Sequence, residues 1–121
     1  MDINKCIYRK MDEHDMDIFV ELRLVFLSEM NSDLTEKNKS VLTESLKYYY
    51  SKYLPANEFV GIICEYDNKV ISSAFLSLKE KPANFNFVNG RVGTILNVYT
   101  YPEYRKNGIS TKIMELLIFA P

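Results

Sequence analysis

The apolar run Ile95-Leu96-Asn97-Val98-Tyr99 passes directly into Pro102-Glu-Tyr-Arg-Lys-Asn-Gly-Ile-Ser-Thr-Lys112, and this junction constrains the fold more than any other stretch. It reads as a strand, a turn and the first turn of a helix, the helix being carried by Ile109, Ile113, Leu116, Leu117 and Ala120. A strand that enters a helix through a glycine-containing turn leaves several backbone N–H groups unpaired and aimed outward. Together with the positive end of the helix dipole, they favour a bound phosphate or pyrophosphate. Gly108 lets a ligand approach the backbone closely, and Arg105 and Lys106 add charge beside it.

Arg105-Lys-Asn-Gly108-Ile-Ser110, preceded by Tyr99-Thr-Tyr-Pro102-Glu-Tyr, resembles the acetyl-CoA-binding motif of the GNAT superfamily of N-acetyltransferases. Thr100 stands where the family commonly has valine, and Ser110 replaces the last small residue of the motif. Both replacements are conservative, since threonine keeps the β-branch and serine stays small. The other reading of these residues is an ordinary strand–turn–helix connection with a basic turn.

With 121 residues the chain is expected to form one domain that buries about two-thirds of its unfolded surface. A formal net charge of −1 gives no support for nucleic-acid binding over a broad face. No apolar run approaches the ~20 residues of a membrane span, and no signal-peptide core stands at the start, so a cytoplasmic protein is expected. Two cysteines are too few for a disulfide framework or a metal site. Cys6 and Cys64 both fall in predicted strands and read as buried free thiols, and no metal is expected. His14, beside acidic residues, reads as a surface residue.

Ile3 to Arg9 reads as a first strand. Asp12 or Asp15 caps a helix that runs to about Met30, with Ile18, Phe19, Leu22, Val25, Phe26 and Met30 on one apolar face. Arg23 and Glu29 interrupt that face: either they snorkel to solvent, or they line an acceptor pocket. A break at Asn31–Asp33 precedes a second helix from near Thr35, in which Leu42, Leu46, Tyr49 and Tyr53 form a stripe up to Pro55. The rings of Tyr48-Tyr49-Tyr50 read mainly as packing residues. Phe59 to Glu65 reads as a strand buried on both faces, and Asp67-Asn68 as a tight hairpin leading to a strand from Val70 to Leu78. A polar loop from Lys79 to Gly90, with two Asn-Phe steps, leads to the fourth strand, about Val92 to Tyr99.

The fold class is therefore α+β, in the order β-α-α-β-β-β-α, with a mixed, mostly antiparallel sheet flanked by helices. This order is similar to the GNAT fold from its first strand to its third helix. The resemblance implies a single acetyltransferase domain over residues 1–121 that lacks the family's C-terminal third. It also implies that Val98, Tyr99 and Thr100 border the pantetheine arm of acetyl-CoA. The turn Arg105, Lys106, Asn107, Gly108, Ile109, Ser110 and Thr111 would hold the pyrophosphate, largely through backbone amides. An amine of a small molecule or protein is the implied acceptor, and Glu21, Arg23 and Glu29 on the first helix are candidate acceptor-site residues.

Acyl transfer needs the neutral amine, although a lysine-type amine has a pKa near 10.4, so a general base assists. A backbone N–H of Val98 or Thr100 would stabilise the developing oxyanion. The family often places a glutamate base where this chain has Asn97, and its usual tyrosine acid lies beyond the third helix. The catalytic residues stay unassigned, with Glu21, Glu29, Asn97 and Tyr99 as candidates. The acids of the region from the first helix to the second, Glu21, Asp33 and Glu36, together with its many tyrosines, mildly favour a cationic amine.

An uncovered edge on the fourth strand, or an uncovered face of the third helix, predicts a homodimer. The other reading is a monomer whose edge is masked by the Lys79–Gly90 loop. Two functional readings stand: an N-acetyltransferase, or a catalytically inactive GNAT-like module acting by CoA binding or self-association. An unrelated α+β domain with a chance motif fits the element order worst.

Overall fold

A computed structural model describes residues 1–30, 34–83, 85 and 90–119, with the backbone alone at 91 and 119. The break expected at Asn31–Asp33, much of the loop leading to Gly90, and Ala120 lie outside the described residues. The elements follow the expected order: β1 (Ile7–Lys10), α1 (Met16–Met30), α2 (Glu36–Tyr53), β2 (Phe59–Tyr66), β3 (Lys69–Glu80), β4 (Arg91–Thr100) and α3 (Ile109–Phe119). The four strands pair in chain order, and all three pairings are antiparallel.

The first strand is shorter than its apolar pattern predicts. The Asp2 side chain accepts from the Asn4 N–H, and Cys6 N–H donates to the Ile3 carbonyl at 3.2 Å, so residues Ile3–Lys5 wind into a 3-10 turn. Pairing with β2 begins only at Ile7, opposite Glu65, and Cys6 therefore precedes the strand. Cys6 and Cys64 are free thiols, as expected, but only Cys64 is fully buried. Asp12 and Asp15 act together at the next helix start: the Asp12 side chain accepts from His14 N–H, and Asp15 accepts from Asp12 N–H. Asp15 is 4% exposed, and the Arg9 guanidinium reaches both its oxygens at 2.8 Å while Nε donates to Glu65 at 2.6 Å.

The sheet is covered on both faces. On one, α3 contributes Ile109, Ile113 and Leu117 over Val60, Ile62 and Leu76. On the other, Phe19 and Leu22 of α1 and Tyr50 of α2 pack on Phe59, Ile63 and Phe75. Phe19 stands at the centre of that layer, 4.9 Å from the Tyr50 ring centroid and 5.2 Å from Phe59 and Phe75. Burial on α1 is concentrated in its first turns, and Met30, expected on the apolar face, is 71% exposed. Thr35, near which the second helix is expected to begin, caps α2 by accepting from Asn38 N–H. Asp67 and Asn68 both take left-handed φ values, 50° and 63°, which is the geometry a two-residue hairpin requires.

β3 and β4 carry the irregularity that matters for the site. Ser73 pairs with Tyr99, but Phe75 pairs with Leu96, so β4 bulges between those positions. Asn97 sits at the bulge with φ 55°, a conformation that asparagine tolerates better than most residues. Its carbonyl accepts from Ser73 Oγ at 3.2 Å, and its own Nδ2 donates back to Ser73 Oγ at 3.3 Å.

Candidate functional site

The turn between β4 and α3 is built from backbone restraints. Tyr101 N–H donates to the Ile71 carbonyl at 2.9 Å, and a 3-10 turn over Pro102–Tyr104 follows. Asn107 Nδ2 donates to the carbonyls of Tyr104 and Arg105, at 3.0 and 3.1 Å, and pins the loop from inside. Lys106 and Gly108 take φ values of 66° and 77°. The first helical bond of α3 runs from Lys112 N–H to the Gly108 carbonyl. The amides of Lys106 through Thr111 have no acceptor among the described residues, and they stand at the positive end of α3.

These amides border a cavity of about 360 Å³ lined by Val98, Thr100, Tyr104, Arg105, Gly108 and Ser110, among others. A Cβ built on Gly108 would have no atom within 4 Å, so the position is open toward a ligand rather than packed against protein. A cradle of this kind, made of donors and dipole instead of bulky side chains, suits a phosphate-bearing ligand. Val98, Tyr99, Thr100 and the run from Arg105 to Thr111 are thus gathered at one place.

A chain of hydroxyls, buried at Ser72 and Thr100, holds the cradle in position. Ser110 Oγ lies 2.7 Å from Thr100 Oγ1, which lies 2.7 Å from Ser72 Oγ, and Ser72 donates to the Tyr99 carbonyl at 2.9 Å. Thr100 and Ser110, the two departures from the family motif, are therefore partners of each other. Ser72, Ser73 and Tyr104 belong to the site without having been singled out in the sequence. The signal for the serines was a polar pair inside an otherwise buried strand, where hydroxyls need partners.

Arg105 turns away from the free amides. Its Nε donates to the Thr100 carbonyl at 2.7 Å, its Nη2 reaches Glu29 at 2.9 Å, and its guanidinium lies 5.4 Å from the Tyr99 ring centroid. Tyr99 and then Arg105 hold the Glu29 carboxylate below its ordinary range. Burial, and after it the neighbouring carboxylate, push the Tyr99 phenol up to about 12. Arg23 lies elsewhere on α1, half-buried, with Nη1 at 3.3 Å from Asn97 Oδ1. Glu21 is exposed and stands apart from both groups, on the rim of a cavity of about 490 Å³ shared with Tyr101 and Glu103.

The profile of the acetyltransferase (GNAT) family matches residues 25–120, most of the chain and all of this cradle. The chain belongs to the GNAT acetyltransferase family. No curated protein matches it. Among solved structures, a predicted acetyltransferase with acetyl-CoA from Clostridium acetobutylicum is similar at 28% identity and a TM-score of 0.81. That likeness covers 93% of this chain and 71% of the other. A GCN5-related N-acetyltransferase from Ralstonia eutropha shares the fold at 18% identity and a TM-score of 0.76, covering 91% and 71% of the two chains. An aminoglycoside acetyltransferase from an uncultured soil metagenomic sample shares it at 17% identity and a TM-score of 0.68, over 97% and 70%. In this GNAT chain Thr100 and Ser110, the two departures from the motif, are hydrogen-bonded to one another. Among the described residues, no helix of this GNAT protein is long and apolar enough to cross a membrane.

Proposed function

We propose that the chain transfers an acetyl group from acetyl-CoA to an amine of a small molecule or protein. The observation that carries this reading is the fan of unpaired amides from Lys106 to Thr111 around the open Gly108 position. The turn would hold the pyrophosphate, and the outer edge of β4, which pairs with no strand among the described residues, would accept the pantetheine arm along Val98, Tyr99 and Thr100. Acetyl-CoA supplies the activated thioester. The chain supplies orientation and a backbone N–H at Val98 or Thr100 for the developing oxyanion.

The proton transfers are less well provided. Asn97 carries an amide, which neither accepts nor releases a proton near neutral pH. Glu29 is held ionised, so it is suited only to accept a proton, and its partners weaken it as a base. Tyr99 keeps its proton at neutral pH, so it is suited only to donate one, toward the leaving thiolate. Those poorly matched groups favour the second reading, a module that binds CoA without turning over. The proposal further places the chain in the cytoplasm, in keeping with its two free thiols. It also includes self-association through the β4 edge before the pantetheine stretch, where Ile95 is 40% exposed, or through α3, where Ile118 is 61% exposed. Light scattering at two concentrations tests the association, with a homodimer mass expected.

Acetyl transfer itself is tested by incubating the chain with radiolabelled acetyl-CoA and a panel of amines. Label in an amine product, absent from a Gly108→Val control, is the expected result. Saturable cofactor binding without label transfer to any amine would support the module reading instead.

A further inference from the structure

Arg23 is a cation drawn toward the protein interior without a counter-charge among the described residues. Arg9 holds Asp15 and Glu65, and Arg105 holds Glu29, whereas Arg23 holds no carboxylate among the described residues. Its one hydrogen bond among the described residues, 3.3 Å from Nη1 to Asn97 Oδ1, goes to a neutral amide. Its guanidinium lies 5.8 Å from the Phe26 ring centroid, a contact that supplies only part of what water supplies to a charge. The remaining N–H groups of Arg23 have no acceptor among the described residues, although five N–H groups in a rigid fork suit two parallel bonds to a carboxylate. Burial depresses the pKa of this group, which shows the same unreturned desolvation.

The position of this fork gives it a meaning. α1 packs over β4, and Arg23 touches it at Asn97, the bulge residue that directly precedes Val98. We propose that Arg23 binds a carboxylate of the acceptor, so that the acceptor is an amino acid or a peptide-like amine carrying an acid group. The inference rests on the acyl-transfer reading of β4, and it modifies the mild preference for a cationic amine drawn from Glu21, Asp33 and Glu36. Glu21 and Glu36, two of those acids, border an open groove between α1 and α2, away from this point.

The test does not require turnover. The chain is first titrated with CoA, which scores the cofactor reading by itself. The dissociation constants of N-acetylated amino acids and of their carboxamides are then measured on the CoA complex, or on the chain alone if CoA does not bind. The acid form of at least one pair is expected to bind about tenfold more tightly than its carboxamide. An Arg23→Gln variant with an unchanged thermal midpoint is expected to lose that difference, and Arg23→Lys to restore part of it. Equal affinities across the whole panel, or a preference that survives in Arg23→Gln, would overturn the proposal. So would an Arg23-dependent preference for succinyl-CoA over acetyl-CoA without any preference among acceptors, because the carboxylate recognised would then belong to the donor.

Discussion

Arg105 donates to both oxygens of Glu29, at 2.9 and 3.2 Å, and so ties the turn before α3 to the last turn of α1. The two helices lie on opposite faces of the sheet, and this ion pair bridges them beside the ring of Tyr99. Both partners are substantially exposed, 42% and 46% at their side chains, so the pair positions the turn more than it stabilises the fold. Glu29→Gln should therefore leave the melting temperature nearly unchanged and weaken CoA binding by less than about fivefold, in a salt-dependent way. A large fall in melting temperature would contradict that assignment.

Gly108→Val places a β-branched residue at φ 77° with its Cβ in the open cradle. Left-handed strain should lower stability by about 1 to 2 kcal/mol, and the methyl groups should exclude the pyrophosphate. Chemical denaturation and a cofactor titration on the same variant separate the two effects. Loss of binding well beyond the loss of stability is expected.

Thr100→Val removes the middle hydroxyl of the chain that joins Ser72 to Ser110 while keeping the side chain's shape. Ser110 Oγ would then lose its partner and Ser72 would keep only the Tyr99 carbonyl, at a cost of about 1 kcal/mol. Denaturant unfolding measures it, and amide exchange should show α3 opening first from its Ser110 end. A neutral substitution would mean that water replaces the missing hydroxyl.

Asp15 supplies the clearest pH dependence. The hydrogen-bonded Arg9 fork holds its carboxyl below the ordinary carboxylate range. Because the folded pKa is the lower one, the stabilisation is fully present above the unfolded value of about 3.9 and is lost as pH falls through the folded pKa. Asp15→Asn should cost about 2 kcal/mol at neutral pH, a discounted figure because the Arg9 side chain is 35% exposed. The gap between the two proteins should shrink as thermal melts are taken from pH 7 toward pH 2.

What the sequence made legible was local and periodic. The strand–turn–helix, the start of α2 near Thr35, the Asp67-Asn68 hairpin and the doubly buried β2 all declare themselves within a few residues. The start of β1 was obscured because Asp2 offers a competing local hydrogen bond that no apolar count registers. The bulge at Asn97 was illegible for another reason: it depends on Ser73, more than twenty residues earlier, and shows only as a register shift between β3 and β4. Arg105 illustrates the same limit. Its position in the motif announces a cation at the turn, while its pairing with Glu29 comes from the tertiary fold.

The central claim is that the turn from Arg105 to Thr111 binds acetyl-CoA. Calorimetric titration of the chain with acetyl-CoA, repeated with Gly108→Val, tests it most directly. Micromolar binding to the parent chain and none to the variant is the predicted result. Absence of binding to the parent at millimolar acetyl-CoA, or equal binding to both proteins, would contradict it.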